Sequence, residues 1–332
     1  MSTRVTTGNH GGWPVVEPLT DWQDTCDTVH MWTQVIGKIR LELAPWINHS
    51  WGSTLYVSAR GLTTSPIPYQ LGSVEIEFDF VNHALRVRTS LGAERAFDLI
   101  PMSVAAFYDK MMKTLSGLDI HADIFTRPVE VEEAIPFEKD DQHASYDADA
   151  VHAFWLALVQ AERIFTDFRA RYIGKTSPAH FFWGGFDLAV TRFSGRTAPK
   201  HPGGVPNCAD WVMQEAYSHE LSSAGFWPGR GLGEAAFYAY AYPAPKGFAE
   251  YRVEPEAAYF HDLLREFVLP YEAVRAAGDP DATLLAFLQT TYEAAANLAD
   301  WDRTALERKP PSQDPRFLSR RDDVEADHAG ND

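Results

Sequence analysis

Cysteine is nearly missing from this chain: Cys26 and Cys208 are the only two in 332 residues. That excludes a disulfide framework or a cysteine-rich zinc cluster and points to a reducing compartment. Positive charge is scarce too, with 29 Lys and Arg against 46 Asp and Glu and a formal net charge of −17. A field of that sign repels phosphate backbones, so nucleic-acid binding would need a local basic patch, and the sequence holds none. No stretch reaches the ~18 apolar residues of a membrane span, and the start, MSTRVTTGNHGGWP, lacks an apolar core of signal-peptide length. The expectation is a cytoplasmic protein without nucleic-acid or membrane partners.

Familiar catalytic motifs are also missing. There is no G-x-S-x-G nucleophile elbow. His219-Glu220 opens like the zinc-protease pattern H-E-x-x-H, but Ser223 stands where the second histidine belongs. GRGLGE at 229–234 is glycine-rich, yet it runs into the strand-like AAFYAYAY and not into a helix whose N-terminus could cradle phosphate.

Aromatic residues are plentiful, with ten Trp, thirteen Tyr and twenty Phe. Many of those rings must be buried. From 19 to 45 the apolar residues Trp22, Cys26, Val29, Trp32, Ile36, Ile39 and Leu43 recur at spacings of three and four, which predicts a helix ended by Pro45. A strand is expected over 51–59, a hairpin from VEIEFDF and ALRVRTS, and a helix over 103–115. An acidic connector spans 126–147. The order then restarts with a long amphipathic helix over 148–173 and the apolar run AHFFWGGFDLAV.

The restart reads as a duplication at an offset of 132 residues. Trp51-Gly52 matches Trp183-Gly184, and nine residues after each Trp stands an Arg, Arg60 and Arg192. The expected architecture is α+β: two divergent copies of a helix plus antiparallel-sheet unit in a pseudo-twofold arrangement. Its boundaries are an N-terminal extension over 1–18, halves over 19–125 and 148–305 around the connector, and a charged, proline-bearing tail over 306–332 expected to be disordered.

The strings HFFWGGFDLAVTRFSGR, EAYSHELSSAGFWPG, SWGSTLYVSARGLTTSPIPY and HASYD make this chain resemble a bacterial family known as domain of unknown function 5996, over residues 13–306. The resemblance implies no reaction and carries over no catalytic residue.

The candidate site must therefore come from the residues. Asp187 lies inside an apolar run, where a buried carboxylate needs a partner. It either locks the sheet or orients a histidine, and His219 and His180 are the candidate acid–base groups. Arg60, Arg192 and Arg196 stand near Ser-, Thr- and Gly-rich loops and are expected either to converge on a small anion or to make salt bridges. Trp51 and Trp183, with Phe182, Trp227, Tyr238 and Tyr240, either wall a pocket or fill a core. His180, His219 and His143 could gather as metal ligands, although no metal site is assigned. The expected function is binding of a small polar or anionic molecule at the junction of the halves, with no cofactor assigned. A non-catalytic scaffold and a metal-dependent hydrolase-like enzyme are the alternatives.

Overall fold

The computed structural model describes residues 12–70 and 72–308. Helix α1 (Leu19–Leu43) forms where the apolar period places it, and every residue from Thr28 to Arg40 is buried. It is thus a central helix, covered on all sides. Ala44 turns to extended geometry ahead of Pro45, as a residue before proline prefers. Helix α2 (Val104–Ser116) starts at Ser103, whose side chain accepts the Ala106 N–H. Helix α3 (Ala148–Ala170) starts at Asp147, which accepts from Asp149 and Ala150.

Two antiparallel sheets of six strands pack with these helices, which confirms the α+β class. The first sheet holds β1 (Tyr56–Val57), β2 (Gly61–Thr63), β3 (Ile67–Tyr69), β4 (Gly72–Asp79), β5 (Ala84–Thr89) and β6 (Glu94–Asp98). Its order is β1-β2-β4-β5-β6, with β3 also on β4. The second holds β7 (His180–Phe182), β8 (Asp187–Thr197), β9 (His219–Trp227), β10 (Ala236–Tyr242), β11 (Tyr259–His261) and β12 (Glu266–Pro270), in the order β11-β12-β10-β9-β8-β7. Leu55 and Phe181 exchange backbone hydrogen bonds of 2.8 and 2.7 Å and so join the sheets. The remaining described helices are α4 (Asp210–Ala216), α5 (Tyr271–Arg275), α6 (Pro280–Leu298) and α7 (Arg303–Leu306).

The strand expected over 51–59 shrinks to two residues. His49 and Ser50 take left-handed backbone at φ 59° and 60°, and a tight turn through Trp51 uses up the rest. The offset-132 pairing does not hold residue by residue either. Arg60 sits in the bend between β1 and β2 and Arg192 in the interior of β8, while Trp51 follows a helical turn and Trp183 follows β7. These are unlike elements.

A likeness in another register is visible instead. Thr63 stands opposite Glu77, as Thr176 stands opposite Arg192. The next residues, Thr64 and Ser177, each accept the strand N–H of Ile76 or Thr191 through the hydroxyl and donate their own N–H to the same residue's carbonyl. Both four-strand meanders, β3 to β6 and β7 to β10, are thus preceded by a G-x-T-[S/T] segment, at 61–64 and 174–177.

The expected N-terminal extension contributes Trp13, buried against Phe237 and Tyr271 with its indole N–H on Asp281 at 2.9 Å. At the other end, Leu306 O accepts from Ile173 and Gly174, and Arg308 N–H donates to Arg171. The rest of the expected tail, 309–332, lies outside the described residues, as do residues 1–11.

Candidate functional site

Alternation along the second sheet gives it two unlike faces. Leu188, Val190 and Phe226 face α3 and α6, whereas Asp187, Ala189, Thr191 and Phe193 of β8 share the opposite face with Leu221, Ser223 and Gly225 of β9 and Tyr238 and Tyr240 of β10. That second face carries a cavity of about 320 Å³. Its roof is a flap, residues 198–218, inserted in the β8–β9 hairpin and pinned at its base by Ala198 N–H to Ser218 O at 3.0 Å. The corresponding β4–β5 connection is a four-residue turn. The flap contributes Asn207, Cys208, Val212, Met213, Ala216 and Tyr217 to the lining.

Asp187 is anchored from one side only. The Tyr238 hydroxyl donates to its Oδ2, and this reach depends on Gly225, because a Cβ there would strike the Tyr238 ring. With no side chain in the way, the ring lies across β9 toward the carboxylate. Nearby, the Tyr217 and Tyr240 hydroxyls meet at 2.9 Å and the Thr191 and Ser223 hydroxyls at 2.9 Å.

The second carboxylate comes from the connector. Glu130 adopts φ 60°, a strained geometry for a residue with a Cβ, and its neighbours hold it there. Gln34 bonds both edges of the Val129 peptide unit, Glu130 N–H donates to Pro206 O at 2.8 Å, and Asn207 Nδ2 donates to Val131 O at 2.7 Å. The side chain lies over Gly184, where a Cβ would collide with its carboxylate. Above Gly185 the two acids converge: from the point a Cβ would occupy, Asp187 Oδ1 is 2.7 Å away and Glu130 Oε2 3.7 Å.

Burial pushes the Asp187 pKa up to about 6, against the pull of the Tyr238 hydroxyl. Glu130 rises to about 7 through burial and the nearby Asp187 charge. Glu130 is nonetheless exposed by surface area. Both observations hold together if its open surface is the cavity wall while protein atoms ring the carboxylate. No hydrogen bond or ion pair to the Glu130 carboxylate is present among the described residues, and no Lys or Arg lines the cavity.

Helix α1 organises the floor. His30 Nε2 donates to Gly184 O at 2.8 Å, Gln34 holds Val129, and the Trp183 ring packs against Gly37 with its indole N–H on Ser53 O at 2.7 Å. These positions fall at successive helical turns on one stripe. At the far end of the cavity, His49 Nδ1–H donates to Ala216 O at 2.9 Å and its Nε2 accepts from Lys175 at 3.3 Å. Burial, more than the Lys175 charge, lowers the His49 pKa.

Of the residues singled out from sequence, Asp187, Trp51, Trp183, Phe182, Tyr238 and Tyr240 line this cavity, and Trp227 does not. The arginines are elsewhere and apart. Arg60 makes a two-pronged pair with Asp79 at 2.9 and 3.0 Å. Arg192 is buried on the opposite face of the sheet among Phe168, Tyr172 and Tyr292, and Arg196 pairs with Glu220 at 2.6 Å. His180 is fully buried, and neither ring nitrogen has a partner among the described residues. Burial lowers its pKa to about 3, so it stays neutral. His219 bonds Ser218 at 3.0 Å and His143 pairs with Asp140 at 2.7 Å. The three histidines do not gather, and no group of three potential metal ligands occurs among the described residues.

Glu130, His49, Tyr217, Thr191 and Ser223 were not assigned to a site from sequence. Glu130 is one of seven acids in the connector over 126–147, which hides it. The usable signal was in α1, where His30 and Gln34 stand at i, i+4 spacing among Val29, Met31, Trp32, Val35 and Ile36. No described helix is long and apolar enough to cross a membrane. No curated protein and no solved structure matches this chain. Over residues 13–308, though, it matches DUF5996, a family of unknown function, and the chain belongs to that family.

Proposed function

We propose that this protein binds a small, mainly apolar molecule carrying hydrogen-bond donors in the cavity beneath the 198–218 flap. The observation that carries the reading is the convergence of Asp187 and Glu130, from separate segments, beside Gly185 on the wall of one cavity. Carboxylates crowded by protein atoms and without a cation partner are costly to ionise, and a ligand that donates to them offsets that cost. Aromatic walls with a few convergent polar groups are the usual make-up of a ligand pocket. The anionic ligand expected from sequence loses its support, since Arg60, Arg192 and Arg196 each have other partners. Acid–base catalysis by the same two carboxylates is the second reading, favoured by pKa values brought toward neutrality.

Native mass spectrometry and thermal-shift screening of the whole chain test the reading, because a ligand that binds only the folded state raises its melting temperature. A stabilising small molecule should lose its effect in Asp187→Asn and in Glu130→Gln. Stabilisation that survives both substitutions together places the ligand outside this cavity. Turnover of a bound compound, abolished by Glu130→Gln, separates catalysis from binding alone.

A further inference from the structure

We propose that the ligand is an organic ammonium, a primary amine on a compact carbon skeleton, with its nitrogen seated above Gly185 between Asp187 and Glu130. This rests on the cavity being a ligand site and adds the chemical class. Three features on the page select that class.

The first is donor count. Asp187 Oδ2 is taken by the Tyr238 hydroxyl, whereas Asp187 Oδ1 and Glu130 Oε2 both lie beside Gly185 on the cavity wall. An ammonium offers three N–H donors and no acceptor, so one nitrogen can serve both acids at once. A hydroxyl has a single donor and would leave one acid unserved.

The second is the wall. Trp51, Trp183, Phe182, Phe193, Tyr217 and Tyr240 present aromatic surface to the cavity. Rings attract cations through their quadrupole, most of all where water is excluded. Trp183 is already used in this way from outside: Lys38 Nζ lies 6.0 Å from its ring and 5.5 Å from that of Phe125.

The third is the distribution of charge. Besides the two acids, the titratable groups around them are Tyr217 and Cys208 of the flap, Tyr238 and Tyr240 of β10, Glu266 of β12, and His30 and Lys38 of α1. His30 is held neutral by burial, and Lys38 borders the site from beyond Trp183. Glu266 adds further negative potential, its own pKa being raised by burial and by Asp187. Asp187 therefore keeps its proton up to about pH 6 and Glu130 up to about pH 7, and an entering ammonium replaces the protons still held. Binding releases protons, and affinity must rise with pH through the range of about 6 to 7 in which Asp187 and Glu130 lose theirs.

The probes are benzylammonium, its neutral analogue benzyl alcohol and its anionic analogue benzoate, titrated calorimetrically into the full chain at pH 5.5, 6.5 and 8. Benzylammonium should bind at least about tenfold more tightly than benzyl alcohol, the difference expected of charge-assisted hydrogen bonds. Its affinity should increase from pH 5.5 to pH 8, and benzoate should be the weakest. Glu130→Gln should remove most of the preference for ammonium. Gly185→Ala, which keeps both charges and fills the point between them, should reduce uptake as well. If either fails to fold, Asp187→Asn serves, read by the same ratio of ammonium to alcohol. Equal or tighter binding of benzyl alcohol or benzoate overturns the ammonium assignment and leaves the cavity reading standing. Failure of all three probes to bind also overturns the assignment. Ammonium binding that none of the cavity substitutions alters overturns both.

Discussion

Gln34 grips the peptide unit beside Glu130 from both edges: its Oε1 accepts the Val129 N–H at 2.9 Å and its Nε2 donates to the Val129 carbonyl at 2.8 Å. A helix side chain thereby acts as a strand partner for one residue of a loop, and that loop delivers a carboxylate to the cavity in a left-handed conformation. Gln34→Leu should cost about 1–3 kcal/mol, since two backbone groups and no side-chain charge lose their partners. It should also weaken ligand uptake by freeing Glu130. Urea midpoints with ligand titrations measure both effects, and a Gln34→Leu protein of unchanged stability and uptake contradicts the positioning role.

The carboxylates predict a dependence of stability on pH. The folded pKa of Asp187 is about 6 against an ordinary 3.8, and that of Glu130 about 7 against 4.5. A raised carboxyl pKa means that the folded state holds the proton more tightly than the unfolded one. Its contribution is therefore fully present below about pH 4 and is lost as pH rises through about 6 to 7. In ligand-free protein, Asp187→Asn and Glu130→Gln should each flatten the fall in urea midpoint between pH 5 and pH 8. An unchanged slope in both variants would show that these groups titrate normally.

Asp79 should behave in the opposite sense. It accepts from Arg60, from Arg86 at 3.0 Å and from the N–H groups of Val81 and Asn82, and its side chain is fully buried. Burial works against ionisation, but these bonds win and hold its pKa down at about 2. The stabilisation is present above about pH 4 and is lost as pH falls toward 2. Asp79→Ala should cost about 3–5 kcal/mol, as expected for a buried charge network that loses its anion. Acid unfolding followed by circular dichroism tests the sign, and Arg60→Ala should cost much less because Arg86 remains.

Arg192 separates structure from site. Its guanidinium lies 3.4 Å from the Phe168 ring centroid and 4.5 Å from that of Tyr292, and it donates to Phe168 O with no carboxylate bonded to it among the described residues. A lysine cannot reproduce that planar stacking. Arg192→Lys should lower stability by about 1–3 kcal/mol, the scale of a buried group left unsatisfied. Ligand affinity should stay unchanged below the melting transition. A selective loss of affinity with stability intact would return Arg192 to the site.

Local patterns were legible along the chain. The 3.6-residue period of Trp22 to Leu43, the helices expected over 103–115 and 148–173 and the β4–β5 hairpin all form as their residues dictate, because each depends on neighbours within a turn or two. Asp187 was conspicuous for a similar reason, as a carboxylate in an apolar run. Alternation along β8 sets Arg192 among apolar neighbours, and the same alternation turns it away from the cavity.

Glu130 could not be found that way. In sequence it is one acid among seven in the connector over 126–147, and only the bonds to Gln34, Pro206 and Asn207 turn it inward. The offset of 132 misled for a related reason: matching Trp and Arg letters ignores which element each letter falls in, and it set a bend residue, Arg60, against a strand residue, Arg192. Composition, charge and periodicity by themselves determined the class, the helices and the absence of familiar catalytic motifs. Which polar residues share a cavity was decided only by tertiary structure, because 57 residues separate Glu130 from Asp187 and 51 separate Asp187 from Tyr238 in the chain. Contacts over such distances depend on sheet register and loop path, which no local pattern encodes.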